Sequence, residues 1–138
     1  AHRSMDICQL FLKLGPARPA HEVQRTVTYH HACHLKHAQK AGDPPLELLS
    51  WVKGLKIVPL PESDMCCGAA GTYNLSQPEM AQSLAERKIG HIQSTQTRLV
   101  VMGNVGCAMQ IQSEANRIGA ELHVVHPVTI LHEAYFGV

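Results

Sequence analysis

Residues 55–80, LKIVPLPESDMCCGAAGTYNLSQPEM, pass from a β-branched apolar run into a glycine-containing loop and then into the start of a helix. "LKIVPLP" (55–61) predicts a strand closed by Pro59 and Pro61, which cannot donate to a sheet ladder. Ser76 and Glu79 have capping-box spacing and Pro78 suits a first helical turn. A helix is therefore predicted from Gln77 to Ile92, burying Met80, Leu84 and Ile89. Between strand and helix stand two adjacent cysteines, Cys66 and Cys67, with Gly68 and Gly71 close behind. Strand, loop and helix form the repeating unit of a parallel sheet, and the same unit recurs in both directions along the chain.

Downstream, "RLVVM" (98–102) predicts a third strand, and "GNVGC" (103–107) turns into a helix that runs to Arg117 and leaves through Ile118-Gly119. "ELHVVHP" (121–127) predicts a fourth strand before a last helix, "VTILHEAYF". Upstream, "TVTYHHAC" (26–33) predicts the first strand. Helical residues follow in two parts around Asp43-Pro44-Pro45, the second presenting Leu48, Trp51 and Val52 on one face before Gly54. "SMDICQLFLKL" (4–14) places Met5, Ile7, Cys8, Phe11 and Leu12 at helical spacing, and Gly15-Pro16 ends it. The expected fold is α/β: a single domain with a Rossmann-like parallel sheet of about four strands, helices on both faces and right-handed crossovers. A leading helix and linker would occupy residues 1–25 and the domain proper residues 26–138.

A chain of 138 residues suits one hydrophobic core. Twelve basic against eleven acidic residues give a formal charge of +1, too little for the cationic field that nucleic acid requires. No apolar run reaches the roughly 18 residues of a membrane span, and the N-terminus lacks a signal-peptide layout. Five cysteines, an odd number with two adjacent, fit a disulfide framework poorly and metal or thiol chemistry well, so a cytoplasmic setting is expected. The first residue is Ala1 rather than methionine, which is expected of a piece of something longer.

Cys33 closes the first predicted strand, Cys66 and Cys67 follow the second, and Cys107 follows the third. In a parallel sheet those ends share one edge, with neighbouring strands about 4.8 Å apart, and open α/β sheets bind ligands in the crevice there. The four thiols can thus converge from a C-x32-C-C-x39-C spacing. Adjacent side chains of an extended strand point to opposite faces, so Cys66 and Cys67 serve one site only if the backbone turns between them, which Gly68 and Gly71 permit. Cys107, at the opening of a helix, gains from the positive end of the helix dipole, which favours thiolate. Four thiolates suit an iron–sulfur cluster or tetrahedral zinc, and spacing alone does not separate the two.

Cys8 shares a helical face with Met5, Phe11 and Leu12 and is expected to be a core thiol outside the site. Ten histidines include His30, His31 and His34 around Cys33. His31 and His34 are candidate additional metal ligands, and His126, at the tip of the fourth strand, is a further one. No G-x-x-x-x-G-K-[ST] loop, no G-x-G-x-x-G after the first strand and no G-x-S-x-G elbow is present. A cysteine nucleophile with a histidine base would leave the second thiol and the distant Cys107 unexplained.

Taken together, "TYHHACHLKHAQ", "LPESDMCCGAAGTYNLSQPEMAQSLAERKIGHI", "GNVGCAMQI" and "HPVTILHEAY" resemble the cysteine-rich CCG domain, in particular the C-terminal one of glycolate oxidase iron–sulfur subunits. The likeness extends over about residues 26–136 and reaches, more distantly, the B subunit of heterodisulfide reductase and the iron–sulfur subunits of anaerobic glycerol-3-phosphate dehydrogenase and of lactate utilisation. It implies an electron-transfer role: flavin-containing subunits oxidise a 2-hydroxy acid, and electrons pass through the iron–sulfur subunit towards an acceptor such as a quinone. It also implies Cys33, Cys66, Cys67 and Cys107 as cluster ligands. Two departures from the family pattern are present. Cys107 is followed by Ala108, Met109 and Gln110 where the broader signature closes with C-x-x-C, and His31-Ala32 stand where an aspartate and a proline usually precede the first cysteine.

Three chemistries follow as expectations. The first is a [4Fe-4S] centre on the four cysteines, the second a zinc-binding docking module, and the third thiol–disulfide exchange between Cys66, Cys67 and Cys107. The resemblance implies a cytoplasmic protein, peripheral to the inner membrane through its partner subunits.

Overall fold

The structure, a computed structural model, describes residues 7–30, 44–62 and 77–138. Among these, helices and strands alternate in chain order: α1 (Ile7–Lys13), β1 (Thr26–His30), α2 (Pro44–Ser50), β2 (Lys56–Val58), α3 (Pro78–Ser94), β3 (Leu99–Met102), α4 (Val105–Ile118), β4 (His123–Val125) and α5 (Pro127–Phe136). The four strands form one parallel sheet in the order β2-β1-β3-β4, a Rossmann-like arrangement as expected. Register is set by pairs such as Val27 with Ile57, Tyr29 with Val101 and Val100 with Val124.

Alternation along the central strands builds two cores. Val27, Tyr29 and Val101 face one side, where they meet Cys8 of α1, Leu48 and Leu49 of α2, and Ile130, Leu131 and Ala134 of α5. Val100 and Met102 face the other, against Ala85, Ile89 and Ile92 of α3 and Cys107, Ile111 and Ala115 of α4. Covering both faces explains why β3 reads as a continuous apolar run and why four of the five residues of β1, including Thr28 and His30, are buried. Each fully buried leucine or isoleucine contributes about 1.5–3 kcal/mol, so these two layers hold the sheet. Gln112 fastens α4 to β4: its carboxamide donates to the Leu122 carbonyl at 3.1 Å and accepts the Val124 N–H at 3.0 Å.

Several sequence expectations need correction at the level of single residues. β2 spans only Lys56–Val58, because Pro59 and Pro61 have no N–H to continue the ladder. β4 stops at Val125, since His126 caps the next helix and Pro127 opens it. The N-cap of α3 is Gln77, which makes no side-chain cap; Ser76, the expected partner of Glu79, lies outside the described residues. Met80 is exposed rather than buried, because the buried stripe of α3 runs through Ala81, Ala85, Lys88, Ile89 and Ile92. Two alanines in that stripe let α3 lie close to its neighbour α4. Ile7 is likewise exposed, while Cys8 is fully buried in the core as its helical face predicts. α2 begins at Pro44, and the chain then turns at Gly54 with φ +83°, where a Cβ would stand 3.3 Å from the Val23 carbonyl oxygen. Met5 and the first of the two helical parts expected before Pro44 lie outside the described residues.

Candidate functional site

The strand order dictates where a ligand crevice opens. From β1 the chain moves outward to β2, then crosses back over β1 to β3, so its direction reverses between β1 and β3. A crevice forms outside the carboxyl ends of the two strands that flank such a reversal. Here those ends are His30 and Met102, which are register partners and are both buried. By alternation, His30 lies on the face opposite Val27 and Tyr29, the face covered by α3 and α4.

From Met102 the chain turns through Gly103 and Asn104 into α4. Asn104 is the N-cap, in extended backbone, and its Oδ1 accepts the Cys107 N–H at 3.0 Å while its carbonyl accepts the Ala108 N–H at 2.9 Å. Gly106 leaves room for this cap, because a Cβ there would stand 3.1 Å from Asn104 Oδ1. Cys107 is thereby held in the first turn of α4, 5% exposed, against Met102 and Ile111 at the edge of the crevice. The positive end of the helix dipole at this position favours a thiolate. The glycine and asparagine of "GNVGC" thus serve to seat one cysteine.

A second construction marks the exit of β2. Glu62 adopts φ +51°, and three residues of α3 converge on it. Arg87 grips the carboxylate in a fork, with Nε donating to Oε2 at 2.9 Å and a terminal nitrogen donating to Oε1. His91 Nε2 donates to Oε2 at 2.7 Å, and Lys88, whose side chain is fully buried, donates from Nζ to the Glu62 carbonyl at 2.6 Å. The Arg87 hydrogen bonds, then that of His91, hold the Glu62 carboxyl below the usual carboxylate range. None of these four residues stood out in the sequence. The available signal was a basic 87, 88, 91 pattern on the helix that follows a glutamate-bearing loop.

Of the expected site residues, Cys107 is described and stands at the C-terminal edge of the sheet. Cys33, Cys66, Cys67, Gly68, Gly71, His31 and His34 lie outside the described residues. In sequence, Cys33 comes three residues after the end of β1, Cys66 eight after the end of β2, and Cys107 five after the end of β3. Those three parallel strands leave the sheet on the same edge. Among the described residues no group of three or more His, Cys, Asp or Glu side chains is gathered that could hold a metal ion. His126 proves to be a helix cap: its Nδ1 accepts the Val128 N–H at 3.0 Å. Cys8 belongs to the core on the opposite face of the sheet from Cys107. No helix among the described residues is long and apolar enough to cross a membrane.

Residues 27–112 match the sequence pattern of the CCG cysteine-rich domain. The chain belongs to the CCG family. The matched stretch runs from β1 into α4, includes Cys33, Cys66, Cys67 and Cys107, and leaves out Cys8. The chain is similar to lactate utilization protein A of Oceanobacillus iheyensis, 34% identical over 133 residues, which cover 96% of this chain and 54% of that protein. Lactate utilization protein A of Shouchella clausii is 33% identical over 78% of this chain and 45% of its own length. The probable glycolate oxidase iron-sulfur subunit of Bacillus subtilis is 32% identical over 82% of this chain and 26% of its own length. The chain therefore spans about half the length of the lactate utilization proteins it matches.

Proposed function

We propose that this CCG domain holds a [4Fe-4S] cluster through Cys33, Cys66, Cys67 and Cys107 and works as the electron-transfer part of a complex that oxidises a 2-hydroxy acid such as glycolate or lactate. The observation that carries the reading is the parallel β2-β1-β3 arrangement, which sends three cysteine-bearing connections off one sheet edge, with Cys107 seated there by Asn104. The donor chemistry fits: four thiolates are the common ligand set of iron–sulfur clusters. Relatives named as an iron-sulfur subunit and as lactate utilization proteins support the same reading.

A cluster bound there supplies one-electron redox chemistry at a potential tuned by hydrogen bonds and burial. The chain's own contribution is placement. Asn104 seats Cys107 in the first turn of α4, where the positive end of the helix dipole favours a thiolate, and the buried His30 and Met102 close the floor of the crevice between β1 and β3. Flavin-containing subunits are the expected electron donors and a quinone the expected eventual acceptor, with the protein cytoplasmic and peripheral to the inner membrane through those partners. The domain proper is residues 26–138, with residues 1–25 as its leading helix and linker, in the C-terminal part of a longer subunit.

Anaerobic cluster reconstitution tests this reading. The wild type should develop the visible absorption of an iron–sulfur protein and a paramagnetic signal on reduction, and Cys107→Ser and Cys67→Ser should lose both. Full cluster loading in both variants would refute it.

A further inference from the structure

Resting on the cluster reading, we propose that Val105, Met109 and Met80 form the face on which the flavin-containing subunit docks to pass electrons to a cluster ligated by Cys107. Val105 and Met109 are 68% and 67% exposed and Met80 is 53% exposed, although all three are apolar. Val105 and Met109 stand four apart on α4 and so share one side of the helix, while Cys107, two positions from each, is turned about 200° away into the core. A helix with its side chains is about 10–12 Å across, so a partner resting on Val105 and Met109 is separated from the Cys107 thiol by one helix thickness. Met80 lies in the first turn of α3, which packs against α4. Residues 95–98 alone join the end of α3 to the start of β3, so the first turn of α3, like that of α4, lies at the C-terminal edge of the sheet.

Position and composition both select this occupant. Electron transfer weakens steeply with distance, so a donor has to sit over a ligand of the cluster rather than elsewhere on the domain. The apolar groove of about 450 Å³ between α1 and α5 lies on the other face of the sheet from Cys107 and does not meet that requirement. Single exposed apolar residues are ordinary on protein surfaces. Here the surroundings also lack charge: residues 99–113 contain no Asp, Glu, Lys or Arg, and Glu79 is the only charged residue between positions 77 and 85. Depletion of charge around methionine is a compositional mark of the centre of protein interfaces, and the flexible thioether adapts to a partner's surface. A patch of three side chains suits the short-lived contacts of redox partners, which bury less than about 1,200 Å². Each encounter would oxidise the flavin subunit by one electron and reduce the cluster by one.

The test titrates a purified flavin-containing glycolate oxidase subunit from the same organism onto the cluster-loaded 138-residue chain. It reads the dissociation constant and the rate at which the reduced flavin subunit bleaches the cluster. Met109→Lys should weaken binding tenfold or more and slow the bleaching, and the neutral Met109→Gln should weaken binding severalfold, because loss of apolar contact is enough. Phe136→Lys, which changes an exposed apolar residue of α5, should bind as the wild type does. Iron per chain and reduction by dithionite should be unchanged in all three variants. Unchanged binding in both Met109 variants, an equal loss in Phe136→Lys, or no binding by the wild type would overturn the docking face. A wild-type dimer that Met109→Lys turns into a monomer would also overturn it and assign the face to a second copy of the chain. Absence of iron and sulfide from the wild type would overturn the cluster reading alone, and the dissociation constants would still decide the docking face.

Discussion

Asn104 Oδ1 accepts the backbone N–H of Cys107 at 3.0 Å, so the residue that starts α4 also fixes the thiol at its first turn. Asn104→Ala should lower stability by about 1 kcal/mol, the usual cost of an N-cap, as measured by urea unfolding. Gly106→Ala should act in the same direction, because its new Cβ would stand 3.1 Å from the capping oxygen. Asn104→Asp retains a cap and should keep stability. Its added negative charge beside Cys107 should nonetheless lower iron occupancy, separating the cap from the site.

Cys8 and Cys107 lie on opposite faces of the sheet, and their serine variants should separate core from site. Cys8→Ser buries a hydroxyl in the α1, α2 and α5 layer and should cost about 1–3 kcal/mol. Iron content per folded chain should not change. Cys107→Ser should show the reverse pattern, loss of iron with a smaller change in unfolding midpoint.

The buried stripe of α3 yields a stability pair. Ile92→Ala should destabilise by about 2–5 kcal/mol, because Ile92 is fully buried against the sheet. Met80→Ala should stay within about 0.5 kcal/mol, as expected for an exposed side chain. Denaturant midpoints of the two variants measure both.

The Glu62 carboxyl is held below its ordinary range by Arg87 first and His91 second, so its contribution has a definite sign. A depressed folded-state value means that the stabilisation is present above the ordinary 4.5 and is lost as pH falls towards the depressed value. The difference in hydrogen exchange of the described backbone around Glu62 between wild type and Glu62→Gln should therefore be present above the ordinary carboxylate range. The same comparison below the ordinary value should show the difference shrinking as the wild-type carboxylate is protonated.

Much of the architecture was legible because its signals are local. β-branched runs in "TVTYH" and "LVVM", Gly119 beyond α4 and Pro127 at the head of α5 each fix a boundary by their own backbone chemistry. Parallel topology followed from alternation, and with it the shared edge that brings the cysteine-bearing connections together. Polarity misled at α3, where a fully buried lysine belongs to the core stripe and a methionine one position off it does not. Lys88 is buried because of a carbonyl 26 residues away, a tertiary fact that no local window contains. The Glu62 clamp was hidden for the same reason: its members are ordinary surface residues until β2 and α3 are set side by side.

The central claim is that the four cysteines hold an iron–sulfur cluster. Iron, acid-labile sulfide and zinc measured per chain in one anaerobically produced sample test it most directly. Four iron and four sulfide per chain, with no zinc, is the result this account predicts for a [4Fe-4S] centre. One zinc per chain without sulfide would contradict it and make the domain a metal-stabilised docking module.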